Sequence, residues 1–500
     1  MGFSIAVDIG TTTVKAILFG EGPKMVQEAS KEYRTYHPKP SWAEQDPDDW
    51  WNGTVECIRE LLGTSGVDPE EIKVISVSSQ SPALLPVDRE GRKLGNALIW
   101  MDRRSVKERE ILAGQLGEQH VFELTGNRLD TYFTLTELMW YIRHEPGRMQ
   151  KCYKLLQVNG YVNLKLTGVF SIDVSNATLT QFFDVHQERW CDELIRAVGA
   201  DPAWMPDVYE CMDVLGPVSK EAAALTGLSE KTVVLAGAVD ATAAALEIGV
   251  NKGGKVAEVT GTSSLVLIGF DELVTAYDLC YLRGRKPGST VLYGPVNTAG
   301  GSLKWFRNHL YEPTSTEEDA YIHISEEIQR RTNGPSGLIF LPYLTGERAP
   351  IWDPDARGCF IGIHMDTSRV LLMRSVMEGT SFALAHNLET ARKAGFQYDD
   401  IISCGGCTKS DIWLKIKASI IDRPIHIPEV NLGAQGGLSY MNAAFMGEYS
   451  SPEEASESCL RIRKTIEPVP EWVAPYQELY QIYKETYQSL KPQFAALARL

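Results

Sequence analysis

Ile5-Ala6-Val7-Asp8-Ile9-Gly10-Thr11-Thr12-Thr13-Val14-Lys15-Ala16-Ile17-Leu18-Phe19 is the stretch on which the fold turns. Two apolar, β-branched runs flank a glycine and three hydroxyls, the pattern of a hairpin whose tip is polar. Successive backbone N–H groups at such a tip form an anion nest, which the hydroxyls of Thr11, Thr12 and Thr13 and the charge of Lys15 would reinforce. Asp8, at the end of the first run, is placed to hold a metal ion through water. An ordinary polar hairpin would read the same way, but a second copy lies about half a chain later. Val256-Ala257-Glu258-Val259-Thr260-Gly261-Thr262-Ser263-Ser264-Leu265-Val266-Leu267-Ile268 repeats strand, glycine, hydroxyls and strand. Two related lobes, each offering a phosphate loop, would close on a nucleotide from both sides.

With 500 residues and 44% apolar content the chain can bury two cores. A boundary near the glycine-rich 249–255 segment gives domains at 1–248 and 249–500. Gly249 to Lys255 imitates a Walker A loop only up to its lysine, since Val256 stands where Ser or Thr is required. A net charge of -16 and the lack of a basic run argue against nucleic-acid binding. Nine scattered cysteines suggest reduced thiols and a cytoplasmic setting. The chain start carries no leader pattern, and no apolar run reaches membrane-spanning length. Oligomeric state is not legible, a homodimer being the commonest arrangement among oligomers.

Along the chain, Asp46-Pro47-Asp48-Asp49 announces a helix through Val55, Ile58, Leu61 and Leu62. Strands are expected at 74–79, ending in Gln80-Ser81-Pro82, and at 97–100, ending in Met101-Asp102-Arg103-Arg104. An amphipathic helix is expected over 137–144, a strand over 155–158 and a polar turn over 173–178. Val233 to Leu246 reads as strand, glycine turn and alanine-rich helix with Asp240 at its start. Asp240 there is either an N-cap or a carboxylate aimed at a cleft. Later come a helix opened by Gly300-Gly301, a long helix from Arg369 to about Lys393, and a strand before Gly405-Gly406. Cys404 and Cys407 form a C-x-x-C without metal-ligand partners at the right spacing. A terminal helix carries Tyr483, Tyr487, Leu490, Phe494 and Leu497 on one face. No dinucleotide fingerprint occurs, which sets a dehydrogenase aside.

The order of these pieces resembles the FGGY family of carbohydrate kinases over nearly the whole chain. The residues that carry it are Asp8 to Lys15, Gly237 to Asp240, Gly261 to Ser263, Tyr343 to Pro350 with Gly358 to Gly362, and Gly405-Gly406. The resemblance implies an α/β, two-lobed actin-like ATPase (ribonuclease H-like) fold with duplicated domains around an interdomain cleft. It further implies transfer of the ATP γ-phosphoryl group to a sugar or polyol hydroxyl with Mg2+. By position, Asp240 matches the family's base and Asp8 its magnesium-associated aspartate, both near the metal. Thr11 to Thr13, Gly261 and Thr262 match phosphate contacts, and Gly300, Lys304, Gly405, Gly406 and Ser410 match nucleotide contacts. Gln80, Ser81, Trp100 to Arg104 and Tyr132 fall at acceptor positions. Ser81-Pro82 departs from the Met-His of xylulose and gluconate kinases and from the Arg-Glu of glycerol kinases. A pentulose such as xylulose is the expected acceptor, with gluconate or a polyol as the alternative. An acceptor-independent, actin-like clamp is the reading from another class.

Overall fold

The computed structural model describes residues 2–311 and 317–499. Strands Phe3–Ile9 and Thr13–Gly20 pair antiparallel from Ser4↔Phe19 to Ile9↔Val14, and the Gly10 N–H closes the tip on the Thr13 carbonyl at 3.0 Å. They sit inside a seven-stranded sheet ordered Val214–Pro217, Val233–Leu235, Ile72–Ser79, Phe3–Ile9, Thr13–Gly20, Lys24–Glu32, with Ala238–Val239 also paired to Ile72–Ser79. Strands Phe3–Ile9 and Ile72–Ser79 run parallel, so the chain must cross over between them, and it does so through helix Pro47–Ser65. That helix is capped as its sequence demands: the Asp46 carboxylate accepts the Asp48 N–H at 2.9 Å.

The second hairpin, Val256–Thr260 with Ser264–Phe270, occupies the corresponding place in another seven-stranded sheet. Its order is Cys280–Arg283, Thr290–Val296, Ser264–Phe270, Val256–Thr260, Ile401–Gly405, Ile425–Pro428, Ile462–Ile466. Here the parallel neighbour is Ile401–Gly405, reached after the long helix Arg369–Lys393. The mixed α/β molecule therefore has two sheet-centred lobes built on one plan.

The two-residue period of the first strand assigns its faces. Ile5, Val7 and Ile9 pack with Trp50, Ile58 and Leu61 of helix Pro47–Ser65. Ala6 faces the other way, with Ile17, Phe19, Leu438 and Met441. Asp8 shares that second face, the one on which helices Asp240–Glu247 and Ala434–Phe445 lie. Helix Ala434–Phe445 lies between two strands of the second sheet in sequence yet packs on the first lobe's sheet, where Asn442 Nδ2 donates to the Ile5 carbonyl at 3.1 Å. A Cβ at Gly437 would stand 1.8 Å from the Ala243 carbonyl oxygen, so only glycine lets the two helices cross that closely.

Some local expectations change. Residues 173–178 are not an open turn: Asp173 caps a short helix, Val174–Thr178, its carboxylate accepting the Asn176 N–H at 3.0 Å. Asp, Ser and Asn serve caps and turns alike, so composition alone cannot separate the two. The helix expected from Glu137 begins at Thr134, and the strand expected over 155–158 is Lys154–Leu156, after which Gln157 opens a helix. In the terminal helix Pro470–Leu497, Tyr483, Tyr487 and Phe494 are buried, but Leu497 is exposed. All nine cysteines are free. Among the described residues no helix is long and apolar enough to cross a membrane.

Candidate active site

The first tip is braced from beneath. Gln45 Nε2 donates to the Thr11 carbonyl at 2.8 Å, Trp50 Nε1 donates to Gln45 Oε1 at 3.0 Å, and Tyr33 donates from its hydroxyl to the Gly10 carbonyl. Gln80, expected at the acceptor, belongs to this brace: its Nε2 donates to Gln45 Oε1 at 2.7 Å and the residue is buried. These donors fix the carbonyls below, leaving Thr12, Thr13 and Lys15 facing a cavity of about 440 Å³ whose far wall is Asn431 to Gln435. Gln45 and Tyr33 were not singled out in the sequence, because nothing local links them to residues 10–12.

Asp8 and Lys15 are cross-strand partners on the cleft face, and Ser78 Oγ donates to Asp8 Oδ1 at 2.7 Å. Burial raises the Asp8 carboxyl, an effect that Ser78 and Lys15 partly offset. Asp240 is the first residue of its helix; the N-cap position falls on Val239. Its Oδ1 accepts the Ala241 N–H at 2.6 Å, and burial together with the nearby Asp8 charge pushes its carboxyl up to about 7. Two carboxylates in this relation carry negative charge that Lys15 offsets only in part. A divalent cation fits that deficit. Among the described residues no group of three His, Cys, Asp or Glu side chains is placed to hold a metal ion.

The acid has no counterpart in the second lobe, where the equivalent position is Val259. Buried charge lies on the opposite face there: Lys417 Nζ donates to both oxygens of Glu258 at 2.6 and 2.7 Å and to Thr260 Oγ1 at 3.0 Å. Burial works against the Glu258 carboxylate, but Lys417 and the surrounding hydroxyls outweigh it and hold the group below its usual range. The tip above is seated on the next helix, with Gly300 N–H donating to the Gly261 carbonyl at 3.1 Å and Gly301 N–H to the Thr262 carbonyl at 2.8 Å. This tip opens on its own cavity of about 690 Å³, lined by Gly261, Thr262, Gly300, Lys304, Gly406 and Ser410 and by the apolar Leu303, Ile322 and Trp413. Gly405 is not in the lining. Its φ of 87° and the 2.3 Å from a would-be Cβ to the Thr260 carbonyl make it a packing requirement. Ser410 Oγ accepts the Trp413 N–H at 3.4 Å and exchanges a hydrogen bond with Ser325.

Between the tips the contact is indirect. Trp100 Nε1 donates to Thr11 Oγ1 at 3.1 Å, the Arg348 guanidinium lies 5.3 Å from the Trp100 ring centre, and Arg348 Nε donates to Asn297 Oδ1 at 2.8 Å. Each tip thus opens on a cavity of its own. Tyr132 donates from its hydroxyl to the Ser81 carbonyl at 3.1 Å and lies 3.3 Å from the Tyr293 hydroxyl, while Ser81 Oγ is buried without a partner. Asp102, expected at the acceptor, is already engaged within the protein. Its carboxylate is fully buried, accepting the Ala43 N–H at 2.7 Å and the Arg104 guanidinium at 2.8 Å, and Arg104 stacks on Trp42. Nor do Glu347 and Arg348 form an ion pair. Glu347 accepts the Asn297 and Arg348 backbone N–H groups, and burial pushes its carboxyl up to about 7.

Comparison with known proteins bears on the family and the fold. Residues 3–247 match the N-terminal domain of the FGGY family of carbohydrate kinases, and residues 256–443 match its C-terminal domain. A xylulose kinase of Bacillus subtilis (strain 168) is 31% identical over 484 residues, covering 96% of each chain. The crystal structure of a xylulose kinase from Rhodospirillum rubrum superposes with a TM-score of 0.90 at 27% identity, over 99% of this chain and 100% of that one. A gluconate kinase from Lactobacillus acidophilus shares the fold, with a TM-score of 0.93 at 24% identity over 99% of each chain. Two sheets on one plan, each carrying a hydroxyl-rich tip, and matches spanning both halves have one meaning: this chain is a sugar phosphotransferase of the FGGY family of carbohydrate kinases.

Proposed function

We propose that the protein transfers the γ-phosphoryl group of ATP to one hydroxyl of a small sugar held between Trp100, Tyr132 and Asp240. The observation carrying this reading is the Asp8 and Asp240 pair, set beside a braced, hydroxyl-rich tip on the cleft face of the first sheet. Asp8 and Asp240 would hold Mg2+, which supplies charge neutralisation on the β- and γ-phosphates. Thr11, Thr12, Thr13 and Lys15 of the first lobe and Gly261 and Thr262 of the second would contact the phosphate chain. Gly300, Lys304, Gly406 and Ser410, with Leu303 and Trp413, would hold the nucleoside.

The acceptor oxygen attacks the γ-phosphorus as the bond to the β-bridging oxygen breaks, ADP departs, and the hydroxyl proton passes to Asp240. Little covalent assistance is needed in such a loose transition state, so alignment and charge matter most. The half-buried Trp100 and the buried Tyr132 shield the reacting hydroxyl from water, which would otherwise compete as acceptor. On the names of its relatives, a pentulose such as xylulose is the first acceptor to assay, with gluconate and polyols beside it. ADP release measured with and without each acceptor tests the reading. Turnover is expected only with an acceptor and to vanish with excess chelator; turnover indifferent to every acceptor would refute it.

A further inference from the structure

After residue 240 the chain passes repeatedly between the lobes. It leaves the first at the end of helix Asp240–Glu247 and enters the second sheet at Val256. From strand Ile425–Pro428 it returns to the first sheet as helix Ala434–Phe445, then goes back through helix Pro452–Cys459 to strand Ile462–Ile466. Glu247 stands where these passages meet, with only 4% of its surface exposed. Its Oε1 accepts the Leu432 N–H at 2.5 Å, and its Oε2 accepts the Gly433 N–H and Asn431 Nδ2, each at 2.8 Å. Both oxygens are therefore committed to one short segment, the one that leads into helix Ala434–Phe445. A Cβ on Gly436 would stand 2.3 Å from Glu247 Oε1, so a side chain there and this carboxylate exclude each other. The last passage is tied to the same turn, Ser456 Oγ donating to the Leu246 carbonyl at 2.6 Å.

Burying a carboxylate is costly unless donors are aimed at it. Burial pushes the Glu247 carboxyl up to about 8, and the Leu432 and Gly433 N–H groups pull it back. Tyr440 of helix Ala434–Phe445 and Cys404 of strand Ile401–Gly405 face it, each held above its usual range by burial and then by the Glu247 charge. Glu429, Cys459 and Arg461 line the cavity of about 190 Å³ behind it. On the other side of the segment lies the first-lobe cavity, where residues 431–435 face Asp8, Thr12, Thr13 and Lys15. Gly433, at φ 68°, gives this wall little stiffness of its own. One helix of eight residues thus carries Asp240 at its start and, at its end, the anchor of the opposite wall.

Resting on the kinase reading above, we propose that Glu247 is a positioning residue for the phosphates of the nucleotide: by holding residues 431–433 against the helix that starts at Asp240, it keeps the far wall of the first cavity in register with the Thr12, Thr13 and Lys15 tip. Its effect falls on ATP binding and not on the choice of acceptor.

The test uses the full-length protein with Mg2+ at pH 8.5, above the value to which burial pushes this carboxyl. It reads the ATP Kd without acceptor, KM for ATP, KM for xylulose or, failing turnover with it, gluconate, kcat and melting temperature. Glu247→Gln keeps the shape but turns an amide N–H towards donors that need an acceptor. The ATP Kd and KM should rise roughly five- to fiftyfold, with kcat and the acceptor KM within about threefold of the parent. Glu247→Ala should raise them at least as much. Adding Gly436→Ala refills the space without restoring the hydrogen bonds, so melting temperature should recover in part while the ATP KM stays high. A double variant whose ATP KM returns along with its melting temperature would overturn the proposal. So would a Glu247→Gln protein that melts lower yet binds ATP like the parent, since Glu247 would then be a packing residue only. A parent without acceptor-dependent turnover would defeat the kinase reading instead, and the ATP Kd, which needs no acceptor, would still decide the role of Glu247.

Discussion

Asp240→Asn should lower activity and raise stability together. The amide oxygen can still accept the Ala241 N–H that Asp240 Oδ1 accepts at 2.6 Å, so the start of the helix is preserved while charge and basicity are lost. Losing a positioned base costs roughly 10²–10⁴-fold in rate, or about 2.7–5.4 kcal/mol at 1.36 kcal/mol per tenfold. Stability moves the other way. In the metal-free protein, burial and the Asp8 charge push the Asp240 carboxyl from 3.8 to about 7. A group raised in the fold stabilises it when protonated, and that contribution is lost as pH climbs through the folded value. By pH 8 the ionised carboxyl opposes folding by up to about 4 kcal/mol. Asn carries no such charge. At pH 8 in chelator the variant should melt several degrees higher than the parent, with ATP affinity within about threefold, while acceptor-dependent ADP release drops at least a hundredfold. A variant retaining a tenth of the parent kcat would refute the role given to Asp240. One that melts lower would refute the crowding of the two acids.

Three further outcomes follow from the same geometry. Lys417→Met leaves Glu258 as an uncompensated buried charge and should cost about 3–5 kcal/mol of stability in denaturant titrations, whereas Lys417→Met with Glu258→Leu should recover most of it. Gly437→Ala forces a methyl against the Ala243 carbonyl, and overpacking of roughly 1–3 kcal/mol should appear as a lower melting temperature and faster proteolysis between the lobes. Burial depresses the His386 imidazole to about 4, so the fold favours its neutral form. The unfolded chain takes up that proton first, so stability should fall as pH drops from about 6.5 towards 4, and His386→Asn should flatten that part of a melting-temperature profile.

Much of the framework was legible because the decisive signals are local. A glycine and hydroxyls between two β-branched runs specify a hairpin and its polar tip, and Asp240 after Ala238-Val239 specifies an acid at a strand-to-helix turn. The repeat of the motif at Gly261 pointed to a second lobe. Illegible were the partners of each polar side chain. Gln80 and Asp102 sit at strand ends, where ligands commonly bind, yet the first braces the tip through Gln45 and the second is enclosed by Arg104 and the Ala43 N–H. Sequence spacing says which face a residue takes, not whether another part of the chain already fills its hydrogen bonds. The same holds for Arg103 beside Arg104: adjacent and chemically identical, one pairs with carboxylates and the other bonds to backbone carbonyls.

Helix Ala434–Phe445 returns from the far half of the chain to cover Ala6, Ile17 and Phe19. Severing the polypeptide near residue 250 would therefore strip an apolar surface bare on the amino-terminal fragment, which should be insoluble unless that helix is supplied in trans. Chimaeras between relatives meet the same obstacle, because a transplanted first half must travel with its own copy of 434–445 to keep the Gly437 crossing matched.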